Sequence, residues 1–470
     1  NKQEIKNSKL MAVLSNLSRK EQNALRKFLH SPYFNQREDV IQLFEILIKN
    51  RKNEVELPKK EVIFKKIYPN KRFSDQNSRL LMSYLFKLVE QFLGVQEVLE
   101  DETNLELKKA VSYRKHKLPI FFQRSLNKIE TDLEKSPLRN SQYFQYLHEM
   151  QMEQYQLLST EAPTDNLNLQ SIADTIDISY LALKLKQTCT LLSHKAVYQT
   201  DYEVGFLAEM LPYIQVKNLL EIPAINVYYH CYLMLLEPND ENHFWTFKKL
   251  LFEHGRRFST TEIRDLYTLT INICIRQINE GKKSYFKEAL DLYKEGLKQE
   301  YLLENGVLSR WAYFNIAAAG LQTGDYHWVD FFIKNYKNTL EKKYRESSFS
   351  FNLARLEYAR KNYTSVMELL QKSNYRDLLA NLGAKTLLLK VYFEMEEFDL
   401  LHSHLDAMKN YIRRKHVMGY HRKNYMNIVK YAQRLMTLNS FNLVEKEQFK
   451  KRIEEEEILT ERAWFLEQVN

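Results

Sequence analysis

Basic side chains are concentrated between Asp406 and Glu445, a stretch that contains no acidic residue. Lysine and arginine bind phosphate groups, and tyrosines placed among them offer faces on which nucleic-acid bases stack. The eight positive charges nearly equal the formal net charge of the whole chain, +9. One interpretation is therefore an anion-binding or nucleic-acid-binding surface. Its candidate contacts are Lys409, Arg413, Arg414, Lys415, Arg422, Lys423, Lys430 and Arg434.

Aromatic and titratable residues accompany these charges, namely Tyr411, Tyr420, Tyr425, Tyr431, His416 and His421. The alternative interpretation is a solvated helix face whose charge is neutralised by the acidic run Glu454–Glu457. Net charge bears on association and solubility rather than on the fold. We favour the neutralised face or a protein partner, and we keep nucleic acid as the alternative.

Two other groups of residues have side chains that could do chemistry. His402 and His404 lie two positions apart, so on a helix their rings point about 200° apart and do not chelate one metal ion. We expect both to be solvated surface histidines. Cys231 follows His230 directly, but neighbours on a helix do not face one another. We therefore expect a buried structural cysteine rather than a nucleophile.

Motifs that mark common active sites are absent from the sequence. It contains no Gly-x-x-x-x-Gly-Lys phosphate loop, Gly-x-Gly-x-x-Gly, His-Glu-x-x-His, Gly-x-Ser-x-Gly or Cys-x-x-Cys. The segment 281–284, Gly-Lys-Lys-Ser, resembles the end of a phosphate loop but lacks the leading glycine, and we interpret it as a turn between helices. We expect no catalytic residue, cofactor or metal. An enzyme with a site of unrecognised residues is the least favoured class.

The first hundred residues offer a second nucleic-acid hypothesis. A helix over about 59–68, a turn through Pro69, and a helix capped by Ser74 have the order of a helix-turn-helix. The exposed start of the second helix would present Asp75, Gln76, Asn77 and Arg79. Helix pairs with polar turns are common in any helical protein, so this signal is weak.

Two local signals predict helices in the same block. Ser18-Arg-Lys-Glu21 predicts a capping box, in which the serine hydroxyl and the glutamate carboxylate satisfy free amides at a helix start. The helix from Ser74 is amphipathic, and we expect it to bury one face. The apolar residues of that face are Leu80, Leu81, Tyr84, Leu85, Leu88, Val89, Phe92 and Leu93.

The elements that position these residues follow a repeat of aromatic positions spaced 42, 42, 40, 37 and 35 residues apart. Three cysteines spaced 42 and 43 residues apart precede the first aromatics, and we expect them to be reduced and buried. Such a period is typical of stacked helix pairs, and only 10 Gly and 9 Pro in 470 residues agree with an all-helical chain. The aromatics are Tyr202, Phe244, Phe286, Tyr326, Tyr363 and Phe398, and the cysteines are Cys189, Cys231 and Cys274.

The turn Gly324-Asp325-Tyr326, with its small, polar and aromatic residues, resembles the junction of tetratricopeptide-like units. Packing residues of the right type follow at Val329 and Ile333, although no proline closes any unit. The resemblance covers about residues 200–440 and implies an all-α, right-handed superhelix of stacked antiparallel helix pairs. It also implies a concave surface that binds other proteins. We expect the rings of Phe286, Tyr326, Tyr363 and Phe398 to be buried within each pair.

We divide the chain into a helical N-terminal block (1–100), irregular helix pairs (101–200), repeats (201–440) and a C-terminal capping helix (441–470) anchored by Trp464. No apolar run approaches the roughly 18 residues of a membrane span, and we expect a cytoplasmic protein. The predicted function is a non-catalytic scaffold or adaptor for a protein or peptide partner. The alternative is a nucleic-acid-binding regulator that uses residues 409–434 or the helix-turn-helix. The oligomeric state stays open.

Overall fold

The chain is described by a computed structural model that covers residues 8–52, 58–161, 167–198, 200–371, 378–415, 419–439 and 442–469. The all-α prediction is confirmed, because the described residues form helices that pack against their neighbours in sequence order. The chain divides into two compact units, 1–184 and 185–470. The resemblance to tetratricopeptide units stays a prediction.

Nine helices begin within the described part of the first unit. The capping box Ser18–Glu21 and the N-cap Ser74 are both formed as predicted. The helices are α1 Lys9–Asn16, α2 Arg19–His30, α3 Glu38–Lys52, α4 Lys60–Ile67, α5 Asp75–Glu100, α6 Glu102–Lys115, α7 Pro119–Lys135, α8 Ser141–Glu161 and α9 Leu169–Tyr198, which continues into the second unit.

Two hydrophobic clusters lie among the described residues of the first unit. One joins α1 to α5 and contains the fully buried Leu14, Leu25, Phe44 and Leu85. The other is formed by α6, α7 and α8 around Phe122. Along α5 the predicted apolar face is only partly right. Leu81, Leu85, Leu88, Val89 and Phe92 are buried, whereas Leu80, Tyr84 and Leu93 are exposed, because a narrower stripe suffices to cover α1 to α4.

The second unit is a stack of helix pairs. It contains α10 Leu207–Val216, α11 Pro223–Leu236, α12 Glu241–His254, α13 Thr260–Asn279, α14 Tyr285–Lys298, α15 Arg310–Gln322, α16 Tyr326–Tyr336, α17 Arg345–Ala359, α18 Tyr363–Gln371, α19 Leu378–Glu394, α20 Phe398–Arg414, α21 Gly419–Met436, α22 Leu443–Glu455 and α23 Arg462–Val469. Short 3-10 turns lie at Leu219–Glu221, Gly255–Arg257 and Lys337–Thr339. The first helices of successive pairs, α15, α17 and α19, also contact one another.

The turns within successive pairs repeat one hydrogen-bonding pattern. Four first helices, α13, α15, α17 and α19, are each followed by a residue with positive φ, two positions after the last helical residue. These residues are Gly281, Gly324, Lys361 and Glu396, spaced 43, 37 and 35 residues apart. The amide of the following residue bonds a carbonyl five positions earlier, for example Asp325 N to Gly320 O at 3.0 Å and Glu397 N to Tyr392 O at 2.9 Å. This is a Schellman C-cap. These four helix pairs therefore share one turn geometry, even where glycine is absent.

The predicted burial of the aromatic rings is wrong. Tyr326 and Phe398 are 36% and 45% exposed, and Phe286 and Tyr363 are half-buried. Each ring stands at the first or second residue of the second helix, at the edge of the layer, where only one side is covered. The residues three and seven positions later face the pair interior, as the helix period requires. Those buried residues are Val329, Ile333, Val366, Leu370, Leu401 and Leu405.

The cysteine prediction is confirmed. Cys189, Cys231 and Cys274 are free, buried, and placed in the interiors of α9, α11 and α13. Burial raises the pKa of the Cys274 thiol to about 12 and that of the Cys189 thiol well above its usual range. All three are therefore unreactive thiols that fill space in the core.

Two details depart from a purely helical reading. Residues 303–308 form an antiparallel hairpin of β1 Leu303–Glu304 and β2 Val307–Leu308, joined through Asn305 and Gly306, both with positive φ.

The predicted single capping helix is instead two helices, α22 and α23. The chain between them is held by α21, because Asn427 Nδ2 donates to Ile458 O at 3.0 Å and Asn424 accepts from Thr460 N at 2.9 Å.

Candidate functional site

A groove of about 1100 Å³ opens on the second unit, where the first helices α15, α17 and α19 lie side by side. The segment around α23 supplies further lining from Thr460, Glu461, Glu467 and Gln468. Aromatic rings make up much of its wall, and these are Trp311, Phe314, Phe351, Tyr358 and Tyr363. The groove therefore depends on elements that are distant in sequence.

Small residues on the facing helices give the groove its depth. Ala318, Ala359, Ala380 and Gly383 line it, and a Cβ added to Gly383 would lie 3.0 Å from the ring of Phe351. A larger side chain at Gly383 would therefore displace the Phe351 ring that packs against it.

Glu394, at the end of α19, is the hub of a hydrogen-bond network beside the groove. Its Oε1 accepts from the Tyr358 hydroxyl and from Trp464 Nε1 at 2.7 Å, and its Oε2 accepts from the Tyr363 hydroxyl at 2.5 Å. Burial, the hydrogen bond and the charge of Glu394 together raise the pKa of Tyr363 to about 12. One carboxylate thus ties α17, α18 and α23 to α19.

Two basic side chains lie in the same groove in different states. Lys390 forms an ion pair with Glu461 and is mostly buried. Arg355 Nη1 donates to Phe314 O at 3.1 Å and to Asn352 Oδ1 at 3.2 Å, but no carboxylate among the described residues forms an ion pair with it. Burial lowers the pKa of Arg355 to about 10, an effect opposed by the charge of Glu461. Arg355 remains a cation at neutral pH.

The predicted basic contacts lie on α20, on α21 and in the turn that joins them. Arg413, Arg414, Lys415, Arg422 and Lys423 are exposed around this turn, and Lys409 is half-buried one helical turn earlier. No ion pair joins any of these six to a described acidic residue. We call these six residues the basic tip. The two remaining candidates lie further along α21, where Arg434 pairs with Glu445 at 2.6 Å and Lys430 lies over the Tyr431 ring.

Two residues of the acidic run expected to neutralise this stretch have other partners, and no ion pair joins Glu454 or Glu457 to the basic tip. Glu455 pairs with Lys451, and Glu456 accepts a hydrogen bond from the Tyr431 hydroxyl at 3.0 Å. Of the four tyrosines proposed for stacking, only Tyr420 is exposed, at 54%. His416 lies outside the described residues. The charges are thus available to an anion, whereas most of the aromatic faces are not.

No known protein family, curated protein or solved structure matches this chain. Across the described ranges, no helix has both the length and the apolar composition that a membrane crossing requires.

The N-terminal helix pair is present, with α4 packed on α5. At the start of α5, Asp75 pairs with Arg79 at 2.5 Å and with Lys60 at 3.5 Å. Gln76 and Asn77 are exposed. These contacts explain the polar residues, because they stabilise the start of the helix. Recognition of nucleic-acid bases by this helix pair stays a prediction.

The remaining candidates have structural explanations. His402 is exposed, but His404 is half-buried and its Nε2 bonds Lys385 O at 2.8 Å, so the prediction of a surface histidine is wrong there. Cys231 is fully buried. Residues 281–284 form the turn before α14, as predicted.

Among the described residues one further group could offer ligands to a metal, namely Glu237, Asp240 and His243, whose ligand atoms lie within 4.8 Å of one another. Asp240 caps α12 through a 2.9 Å bond from Asn242 N. The positive end of that helix disfavours a cation.

Sequence reasoning did not identify the groove. Its aromatic residues are scattered among many others, and Glu394 and Trp464 are 70 positions apart. The one usable signal was local: Ala318, Ala380 and Gly383 are small residues on faces that a solenoid would turn toward its concave side.

Proposed function

We propose that this protein is a non-catalytic scaffold or adaptor that holds a segment of a partner protein in the groove of its second unit. The observation that carries the proposal is the groove itself, with its largely half-buried aromatic wall and a cation, Arg355. Trp311 is 46% exposed at its mouth. Aromatic residues and arginine are enriched at the centres of protein interfaces.

The size of the groove agrees with a peptide ligand. Sites for drug-sized molecules enclose roughly 300–1,000 Å³ and cover most of the ligand. This groove of about 1100 Å³ is open along several helices, so it suits an extended or helical segment. Tetratricopeptide-like repeats, which this part of the chain resembles, bind proteins on their concave face in the same manner.

Binding of phage-displayed random dodecapeptides to the full chain tests the proposal. Trp311→Ala removes an exposed ring from the groove, and Trp245→Ala is the matched control, since Trp245 is 44% exposed on α12 outside the groove. We expect the first substitution to weaken binding of selected peptides at least tenfold and the second to leave it unchanged. Equal effects of both substitutions would indicate that the peptide binds outside the groove.

A second candidate function rests on the basic tip, whose six cations lack an acidic partner among the described residues. Like charges that are close together favour binding of a polyanion. Replacing Arg413, Arg414, Arg422 and Lys423 with glutamine should leave stability unchanged and weaken RNA or DNA binding. The slope of log affinity against log salt should fall by about 0.7–0.9 per lost phosphate contact. Absence of salt-dependent binding by the unaltered protein at low ionic strength would exclude this function.

A further inference from the structure

The guanidinium of Arg355 is a desolvated charge in the groove that has no ion-pair partner among the described residues. Two of its hydrogen bonds use the same nitrogen, Nη1, and go to the neutral acceptors Phe314 O and Asn352 Oδ1. Its Nε and Nη2 make no hydrogen bond to a described residue, and the side chain lines the groove. Two donors in the fork geometry that suits a carboxylate are therefore presented to whatever occupies the groove.

Burial makes this arrangement costly without a ligand. Removing a cation from water is unfavourable unless an anion or a set of hydrogen bonds compensates it. The same loss of hydration lowers the pKa of Arg355 to about 10. A bound carboxylate would restore the stabilisation that the guanidinium loses when it leaves water.

Three carboxylates line the groove, those of Glu394, Glu461 and Glu467, and none of them forms an ion pair with Arg355. Glu467 is exposed to solvent, and the other two are committed to other partners. Glu461 is held by Lys390, and although its charge favours the protonated form of Arg355, it forms no ion pair with that residue. Glu394 accepts three hydrogen bonds, from Tyr358, Tyr363 and Trp464. Neither carboxylate can turn to Arg355 without leaving other groups unsatisfied.

Aromatic rings lie beside Arg355 in the groove. The Phe351 ring lies 5.7 Å from the guanidinium carbon, and Phe314 and Trp311 continue the aromatic wall along α15. Gly383 lets the Phe351 ring pack directly against α19, because an added Cβ would lie only 3.0 Å from that ring. The groove thus offers an anion contact and an apolar contact next to each other.

We propose that the partner segment carries an aspartate or glutamate that pairs with Arg355, beside a large apolar side chain that packs against the aromatic wall of Trp311, Phe314 and Phe351. This inference rests on the proposed function, because it specifies the chemistry of the peptide in the same groove.

The test uses dodecapeptides selected on the full chain and resynthesised with an acetylated amino end and an amidated carboxyl end, so that only side chains carry carboxylates. Fluorescence anisotropy then compares each peptide with its Glu→Gln or Asp→Asn counterpart. We expect the selected sequences to share an acidic residue near an aromatic or aliphatic one, and the neutral counterpart to bind at least tenfold more weakly. Arg355→Met should weaken binding of the acidic peptide to the level of its neutral counterpart.

A double comparison separates recognition from folding. In Arg355→Met the acidic and neutral peptides should bind equally, and Arg355→Lys should restore part of the preference, because a lysine keeps the charge without the fork. Arg276→Met, which removes an exposed arginine of α13 outside the groove, should leave the preference intact. If Arg355→Met does not fold, the comparison of acidic and neutral peptides on the unaltered protein still tests the inference.

Three outcomes are distinct. Preference for the acidic peptide that disappears with Arg355 supports the inference. Peptide binding that is lost in Trp311→Ala but equal for acidic and neutral peptides overturns the inference and leaves the proposed function standing. No peptide binding sensitive to Trp311→Ala overturns both.

Discussion

Replacing Glu394 should destabilise the second unit more than replacing any neighbouring exposed glutamate. Its carboxylate accepts hydrogen bonds from Tyr358, Tyr363 and Trp464, which lie on three other helices. Glu394→Gln keeps the shape and the number of polar atoms but removes the charge. Glu394→Ala removes all three acceptor contacts at once.

The magnitude follows from the three bonds. A hydrogen bond to a charged group contributes about 1.5–3 kcal/mol and a neutral one about 0.5–1.5 kcal/mol. Glu394 is only half-buried, so solvent reduces each difference. We expect Glu394→Gln to lower the free energy of unfolding by about 1–2 kcal/mol. Glu394→Ala should lower it by about 3–5 kcal/mol, since two hydroxyls and an indole N–H lose their acceptor.

Urea unfolding of the full chain, followed by far-UV circular dichroism and tryptophan fluorescence, measures both values. Glu397→Gln is the control, because Glu397 is exposed and its side chain has no hydrogen-bond partner among the described residues. Combining Glu394→Gln with Trp464→Phe gives a double-mutant cycle whose coupling should be about 0.5–1.5 kcal/mol. Costs below 0.5 kcal/mol for both Glu394 variants, or no coupling to Trp464, would refute this reasoning.

Further predictions concern turns, packing and pH. Lys361→Gly and Glu396→Gly should each raise stability by about 0.5–1 kcal/mol in urea unfolding, because both residues have a positive φ of 61° and 60° that glycine adopts more readily. Gly320→Ala should destabilise by about 1–3 kcal/mol, since its Cβ would lie 2.4 Å from Val329 Cγ2. Burial lowers the pKa of His404 in the folded state, so the unfolded chain takes up the proton first as pH falls from about 6.5. Stability should therefore fall on acidification through that window, and His404→Gln should reduce the fall.

The controls for these predictions lie in the same chain. Gly324→Ala at the equivalent turn should be destabilising, which would show that the gain at Lys361 is conformational. A milder Gly320→Ser effect than Gly320→Ala would contradict a steric cause. A stability profile of His404→Gln parallel to that of the unaltered protein between pH 7 and 5.5 would rule out His404 as the source of the pH dependence.

Local signals predicted the parts of the fold that depend on local physics. The capping box at Ser18 and the N-cap at Ser74 satisfy free amides of their own helices, so neighbouring residues determine them. Val329 and Ile333 were expected to be packing residues from the resemblance to tetratricopeptide-like units, and both are fully buried. The hairpin at 303–308 was missed although Asn305-Gly306 is a strong turn signal.

Other features depend on tertiary contacts that periodicity does not contain. Lys361 and Glu396 take a conformation that favours glycine because the helices on either side impose the turn. Glu394 and Arg355 are ordinary helix residues in sequence, and their different roles arise from which partners the fold brings to them. The aromatic repeat indicated the period correctly but not which side of each ring is covered.

The joining of distant segments in the groove affects the order in which the protein becomes functional during synthesis. Trp464 leaves the ribosome about 110 residues after Arg355. At about 5–20 residues per second this delay is on the order of 5–20 s. During that interval α15, α17 and α19 have been made, but Glu394 lacks its indole donor and the groove lacks the lining from Glu461 and Gln468. A partner that requires the finished groove would thus associate only after Trp464 has been synthesised, and until then the nascent chain presents an incomplete wall.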